Sequence, residues 1–236
     1  FKYDISVGTG KNKTFISEGG HRTYVNFANY TLLKKEDLSH LTQIHFDGIS
    51  TVLIYNILTG TRVSRQSFDF TSDAFEILKF SRQQNKKICF IGGSDAEVNI
   101  FKRKLQMGQL SLSSWKYYSG YLSEHGFNCW SDFLVHIGAK QFDFIILGLG
   151  TPLQERVGLI ISKDYDNIST ITCGAFISQT ATSERLNYYP DIINRFNLRW
   201  LYRACKEPHV IKRLLFLYPK GILNFTVDIL RYRSGF

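Results

Sequence analysis

Five short apolar runs punctuate the chain, at Thr23–Phe27, Gln43–Phe46, Lys87–Ile91, Phe142–Leu147 and Ser169–Cys173. They are rich in β-branched and aromatic residues and lack the strict alternation of a half-solvated strand, so each predicts a strand covered on both faces. Between them the apolar positions change to a helical period. Phe75, Ile77, Leu78 and Phe80 mark one helix over Phe75–Gln84, followed by Ala96–Leu105, Trp130–Gly138 and Leu153–Lys163. Strands alternating with helices imply right-handed βαβ units, hence an α/β fold with a mostly parallel sheet and flanking helices. The stretch Phe1–Gly20, with Gly8, Gly10, Gly19 and Gly20, predicts a hairpin or a loose arm. Residues 108–128 read as Ser- and Tyr-rich loops around a short strand.

Open parallel sheets bind ligands outside the carboxyl ends of their strands. Those ends carry Asn26 to Asn29, Asp47-Gly48, Gly92-Gly93-Ser94, Gly148-Leu149-Gly150-Thr151-Pro152 with Gln154 and Glu155 just beyond, and Cys173-Gly174-Ala175. Glycine at a strand end lets backbone approach a ligand, and a following helix N-terminus offers free N–H groups to phosphate. Together they suggest a nucleotide or nucleotide-sugar site. Asp47 directly follows Ile44-His45-Phe46. A carboxylate at that place serves as a general base or as the cap of a helix starting near Ile49, and both readings stand.

Other patterns carry less. Gly148-x-Gly150 lacks the third glycine of a dinucleotide fingerprint. Val7-Gly8-Thr9-Gly10-Lys11 has no strand before it. Asp164-Tyr165-Asp166 resembles a metal-holding Asp-x-Asp but falls at the amino edge of the sheet, so it reads as a turn. His21, His40, His45, His125, His136 and His209 show no metal-ligand spacing, and no metal is expected.

Composition sharpens the class. With 44% apolar residues in 236, the chain can bury a substantial core and is not disordered. Cys89, Cys129, Cys173 and Cys205 form no CxxC pair and read as thiols in a reducing compartment. No apolar run reaches the roughly 18 residues of a membrane span, and Phe1-Lys2-Tyr3-Asp4 does not read as a signal peptide. Charge divides the chain in two. Residues 195–236 hold nine Lys/Arg and two acids, so +7 of the net +9, leaving residues 1–194 near neutral at +2. The basic segment interleaves Trp200, Tyr202, Phe216, Tyr218, Phe225, Tyr232 and Phe236. That suits an anionic partner surface, phospholipid or nucleic acid, or else a solvated basic helix packed by its aromatic side. A neutral sheet domain without a base-stacking motif argues against nucleic acid.

The runs Gly148-Leu149-Gly150-Thr151-Pro152-Leu153-Gln154-Glu155, Cys173-Gly174-Ala175-Phe176, Leu198-Arg199-Trp200-Leu201-Tyr202-Arg203, and Glu207-Pro208 through Lys212-Arg213, with Asp47-Gly48-Ile49 upstream, resemble the WecG/TagA/CpsF glycosyltransferase family over roughly Tyr24 to Arg213. The resemblance implies a Rossmann-like domain over 1–194 and a membrane-docking helical appendage over 195–236. It implies inverting, metal-independent transfer from a UDP-sugar to a polyprenyl-diphosphate-linked acceptor in bacterial surface polysaccharide synthesis. The UDP-sugar is a substrate, and no cofactor is expected. The enzyme would lie peripherally on the cytoplasmic face of the inner membrane, and a homo-oligomer is left open.

In that family's pattern Asp47 matches the base, and Arg203 and Arg213 match appendage arginines facing the departing diphosphate. Arg62 and Gln154 are expected to contact substrate. Asn29, Gly48, Gly92, Gly93, Gly148, Gly150, Thr151 and Gly174 complete the expected donor and acceptor site. The chain departs from the pattern at Phe27, which replaces a threonine near the acceptor, and at Ile177, Arg199 and Val210. The Asn29-to-Asp47 segment is also shorter than usual. These departures suggest a sugar or acceptor different from that of the N-acetylmannosamine enzymes. A non-catalytic membrane-docked partner is the rival reading, and an RNA-binding protein a weaker one.

Overall fold

The computed structural model describes residues 6–7, 12–196 and 198–234. In chain order the first half holds β1 (Ser6–Val7), α1 (Asn12–Glu18), β2 (His21–Val25), α2 (Phe27–Leu32), β3 (Gln43–Phe46), α3 (Ile49–Thr59) and α4 (Asp73–Gln83). Then come β4 (Ile88–Gly92), α5 (Asp95–Met107), β5 (Lys116–Tyr118), α6 (Trp130–His136), β6 (Phe144–Gly148), α7 (Leu153–Asp164), β7 (Ser169–Thr172) and α8 (Phe176–Thr182). The appendage follows as α9 (Asp191–Arg195), α10 (Arg199–Lys206), α11 (Pro208–Lys212), a π-helical turn at Arg213–Leu217, and α12 (Tyr218–Arg233).

The strands form one seven-stranded sheet in the order β1-β3-β2-β7-β6-β4-β5, and every pairing is parallel. Chain halves meet where β2 pairs with β7, with His21 opposite Thr170. The fold is Rossmann-like. Successive residues of the central strands serve opposite faces, as a pleat requires. Ile88, Phe90, Phe144 and Ile146 enter a core under α1, α4, α5 and α8, while Cys89, Ile91, Ile145 and Leu147 enter another under α6 and α7. This two-sided burial is why the strands read as continuous apolar runs.

Two expectations change. The run Thr23–Phe27 ends as a strand at Val25, because Asn26 caps α2 by accepting a hydrogen bond from the Asn29 N–H at 3.1 Å. Phe27 is therefore the first helical residue and is fully buried. Where a hairpin or a loose arm was expected over Phe1–Gly20, the described residues form β1, which pairs parallel with β3 as an edge strand, and α1. Gly8 to Lys11 lie outside the described residues, while Phe15 and Ile16 of α1 are buried in the first core. Asp164-Tyr165-Asp166 closes α7 and turns into β7, at the amino edge as expected.

The appendage is packed into the body rather than resting on it. Phe225 and Ile229 of α12, both buried, join Phe27, Tyr30, Ile44, Phe46 and Val52 in a third core at the ends of β2 and β3. The Phe225 ring lies edge-on to Phe27, Tyr30 and Phe46 at 5.5, 5.1 and 5.6 Å, and such burial contributes about 1.5–3 kcal/mol. Gly221 permits the crossing, because a Cβ there would stand 2.1 Å from the Phe27 carbonyl oxygen. The Thr31 hydroxyl donates to the Leu217 carbonyl at 2.9 Å, and Tyr30 donates to Asp228.

Candidate active site

Over the β2–β7 seam the carboxyl ends open into a cleft of ≈ 1070 Å³, roofed by the appendage. Asp47 sits within it. Its N–H donates to the Val25 carbonyl at 3.0 Å, which extends the sheet by one residue and fixes the side chain at the strand end. The capping reading fails here. Gly48 is the N-cap of α3 and supplies no side-chain bond, while the Asp47 carboxylate accepts from Arg65 Nη2 at 2.9 Å. About a third of the side chain is exposed, and it lines the cleft. Burial pushes its pKa up and Asp69 adds to the push, against the opposing pull of Arg65 and Arg199.

The arginine beside the base is Arg65, not Arg62. Arg62 is exposed and does not line the cleft. Residues 65, 67 and 69 share one side of the segment that follows α3. Arg65 donates to the Ser67 hydroxyl at 2.9 Å, Ser67 donates to Asp69 Oδ2 at 2.5 Å, and the intervening Phe68 is buried in the first core. The alternation Arg65-x-Ser67-x-Asp69 is legible in the sequence and marks these residues rather than Arg62, which is out of step with it.

The floor bonds largely to itself, with Glu155 Oε2 the exception, buried without a hydrogen-bond partner among the described residues. Gly150, Thr151, Gln154 and Gly174 line the cleft, and Gln154, 2% exposed, ties two strand ends together. Its Nε2 donates to Glu155 Oε1 at 2.9 Å and to the Thr151 hydroxyl at 3.3 Å, and its Oε1 accepts the Gly174 N–H at 3.1 Å. Gln154 therefore shapes the floor instead of presenting a free amide to substrate. Glu155, fully buried, also accepts from Thr23 and Thr151, and burial holds its pKa up. Gly92, Gly93 and Gly148 lie below the floor. A Cβ at Gly92 would stand 2.6 Å from the Gly148 carbonyl oxygen, so those two glycines serve strand packing; one at Gly93 would meet the Glu97 and Ser178 side chains, and Gly48 abuts Thr51. Phe27 and Ile177 turn into the core, so neither departure from the family pattern changes the cleft lining directly.

The opposite wall is cationic. Arg203 on α10 makes a two-pronged ion pair with Glu207, at 3.2 and 2.9 Å, and Glu207 also accepts from Tyr188 and Gln179. Burial opposes its charge, yet Glu207, Tyr189 and Asp47 together hold the guanidinium firmly protonated. Arg213, at the start of the π-helical turn, donates to Asn29 Oδ1 at 2.9 Å, and burial and the neighbouring Arg203 both lower its pKa. Two cations repelling each other at one cleft wall make a receptor for an anion. Val210 is buried and supplies no third charge. Arg199 also lines the cleft and reaches Asp69 at 2.5 Å, a contact between segments distant in sequence.

A Rossmann-like sheet, a carboxylate at a strand end and an arginine-lined appendage meet over one cleft, and the proteins this chain resembles are glycosyltransferases. The chain belongs to the Glycosyl transferase WecG/TagA/CpsF family, which it matches over residues 14–235. It is 34% identical, over 87% of its length and 85% of the relative's, to UDP-Gal:alpha-D-GlcNAc-diphosphoundecaprenol beta-1,4-galactosyltransferase of Shigella boydii. It is 26% identical to N-acetylglucosaminyldiphosphoundecaprenol N-acetyl-beta-D-mannosaminyltransferase of Staphylococcus aureus, over 61% of its length and 55% of the relative's.

Proposed function

We propose that this glycosyltransferase moves a hexose from a UDP-sugar to a polyprenyl-diphosphate-linked sugar, with inversion, without a metal and with no cofactor beyond its substrates. The observation that carries the reading is Asp47 in a cleft whose facing wall holds Arg203 and Arg213. Asp47 takes the proton of the acceptor hydroxyl, and the oxygen attacks the anomeric carbon from the face opposite the leaving group. The bond from that carbon to the β-phosphate oxygen breaks, and UDP departs with the bonding pair. Arg203 and Arg213 offset the charge gathering on the diphosphate, the part a metal ion plays elsewhere. A base with a raised pKa accepts the proton more readily than an ordinary carboxylate.

The acceptor class agrees with the surface. On the appendage Ile211, Leu215, Phe216, Leu223 and Leu230 are exposed, and on α3 so are Leu53 and Ile57. Lys206, Lys212, Lys220, Arg231 and Arg233 lie among them, also exposed. Among the described residues no helix is long and apolar enough to cross a membrane. Apolar side chains with interspersed cations suit the anionic cytoplasmic face of an inner membrane, each cation contributing about 1 kcal/mol. The test is transfer from a panel of UDP-sugars, UDP-galactose first, to a soluble N-acetylglucosaminyl-diphosphate lipid analogue, with product linkage read by NMR. An α-configured donor yielding an α-linked product, or no transfer from any UDP-sugar, overturns the proposal. Membrane attachment is tested by Leu215→Ser with Phe216→Ser and anionic vesicles, because truncation would also strip Phe225 from the third core.

A further inference from the structure

Charges of alternating sign run from the base into the appendage. Asp47 Oδ1 lies 2.9 Å from Arg65 Nη2, the same Nη2 lies 4.0 Å from Asp69 Oδ2, and that oxygen lies 2.5 Å from Arg199 Nη1. Arg65 thus stands between two carboxylates and leans toward Asp47. Asp69 is already well served, since it accepts from the Ser67 hydroxyl at 2.5 Å and from the Thr71 N–H and hydroxyl at 2.9 and 2.5 Å. Arg199 is itself fixed, donating to Asn194 at 2.7 Å and stacking over the Tyr189 ring at 4.6 Å. These side chains are between 13% and 33% exposed, so their attractions are less screened than those of a surface pair.

We propose that Arg199 is a positioning residue for Asp47: by engaging Asp69 from the appendage, it leaves Arg65 committed to the base. Without Arg199, Asp69 becomes the stronger claimant on Arg65, which needs to move only about an ångström. The base then loses its cation. Because Arg199 belongs to α10, Asp47 is fully set only when the appendage is seated. The groups facing Asp47 are Arg65 and Asp69 from the segment after α3, Arg199 and Arg203 from α10, Tyr189, and Tyr218 from α12. Arg199 contacts the segment that carries both Arg65 and Asp69.

The kinetic part rests on Asp47 being the base, so two readouts are needed. Carboxyl ¹³C NMR titrates Asp47 without any substrate, and the pH profile of kcat/KM follows transfer. Arg199→Gln should raise the Asp47 pKa by roughly one unit, Asp69→Asn should lower it, and the double variant should return it toward the wild-type position. In an Arg65→Gln background, the Arg199→Gln shift should be at most half as large. An Asp47 titration unmoved by Arg199→Gln, or moved equally without Arg65, overturns the proposal. The same holds for a double variant no nearer wild type than Arg199→Gln. If the NMR shifts occur while the acid limb of kcat/KM stays in place, the clasp stands and the assignment of Asp47 as base fails. Asp69→Asn leaves the Asn194 and Tyr189 contacts of Arg199 in place, so it tests the arrangement even if Arg199→Gln weakens the fold.

Discussion

The two walls of the cleft are built on opposite plans. The floor spends its polar groups on itself: Gln154 bridges the ends of β6 and β7, and Glu155 accepts three hydrogen bonds from Thr23, Thr151 and Gln154. The appendage wall is less evenly matched: Arg203 is paired with Glu207, whereas its neighbour Arg213 is bonded to an amide rather than a carboxylate. A floor bonded largely to itself gives shape and rigidity, whereas a wall with an arginine held only by an amide gives attraction for an anion. Losses on the floor should therefore show in stability and losses on the roof in rate.

The largest expected effect belongs to neither wall. Asp47→Asn should lower kcat by roughly 10²–10⁴ while leaving the melting temperature nearly unchanged, as measured by transfer assay and calorimetry. Because the pKa of Asp47 is raised and the base must be ionised, wild-type transfer should fall with acidification at a pH above the ordinary carboxylate range. Next, Arg213→Ala should cut kcat by about 10²-fold, the scale for removing one charge-stabilising donor, with little thermal cost. Gln154→Leu should do the reverse. It leaves the half-buried Gly174 N–H and the Thr151 and Glu155 oxygens without their amide partner, at about 1–3 kcal/mol, so the melting temperature should drop several degrees while kcat falls far less than in Arg213→Ala. Equal thermal losses in both variants would erase the distinction between the walls. The smallest effect expected is from EDTA, or from Asp164→Ala with Asp166→Ala at the far edge of the sheet. Neither should change the rate, and activity restored to a stripped enzyme by Mg²⁺ or Mn²⁺ would refute the metal-free scheme.

Strand and helix positions were legible where burial on both faces left unbroken apolar runs, as at Gln43–Phe46, which is a strand over that span. Of the edge strands, β5 was legible only as a short strand somewhere within residues 108–128, and the two residues of β1 were not, because so short a segment leaves no run to read. In the cleft, the rule of carboxyl ends reached Asp47, Gly150, Thr151 and Gly174, all of which line it. It also chose Gly92, Gly93 and Gly148, which do not line the cleft; at Gly92 and Gly148 a glycine that lets two strand ends approach looks the same in sequence as one that admits a ligand. Arg65 was within reach through the alternation around Phe68. The Asp69–Arg199 pair was not, because no local pattern announces an ion pair between residues 130 positions apart.

The crossing at Gly221 has a consequence for how the enzyme is made. Tyr30 and its partner Asp228 are 198 positions apart, and Phe225 covers rings that belong to α2 and β3. A nascent chain that has emerged only as far as β7 carries the strands of the sheet but holds Phe27, Tyr30 and Phe46 uncovered. Closing so long a loop is entropically slow, and the exposed aromatic patch persists until residues 221–229 arrive. The same segment delivers Arg213 to Asn29. The arrival of residues 213–229 therefore both seals that hydrophobic face and completes the cationic wall, so a chain still lacking them is left sticky and inert together.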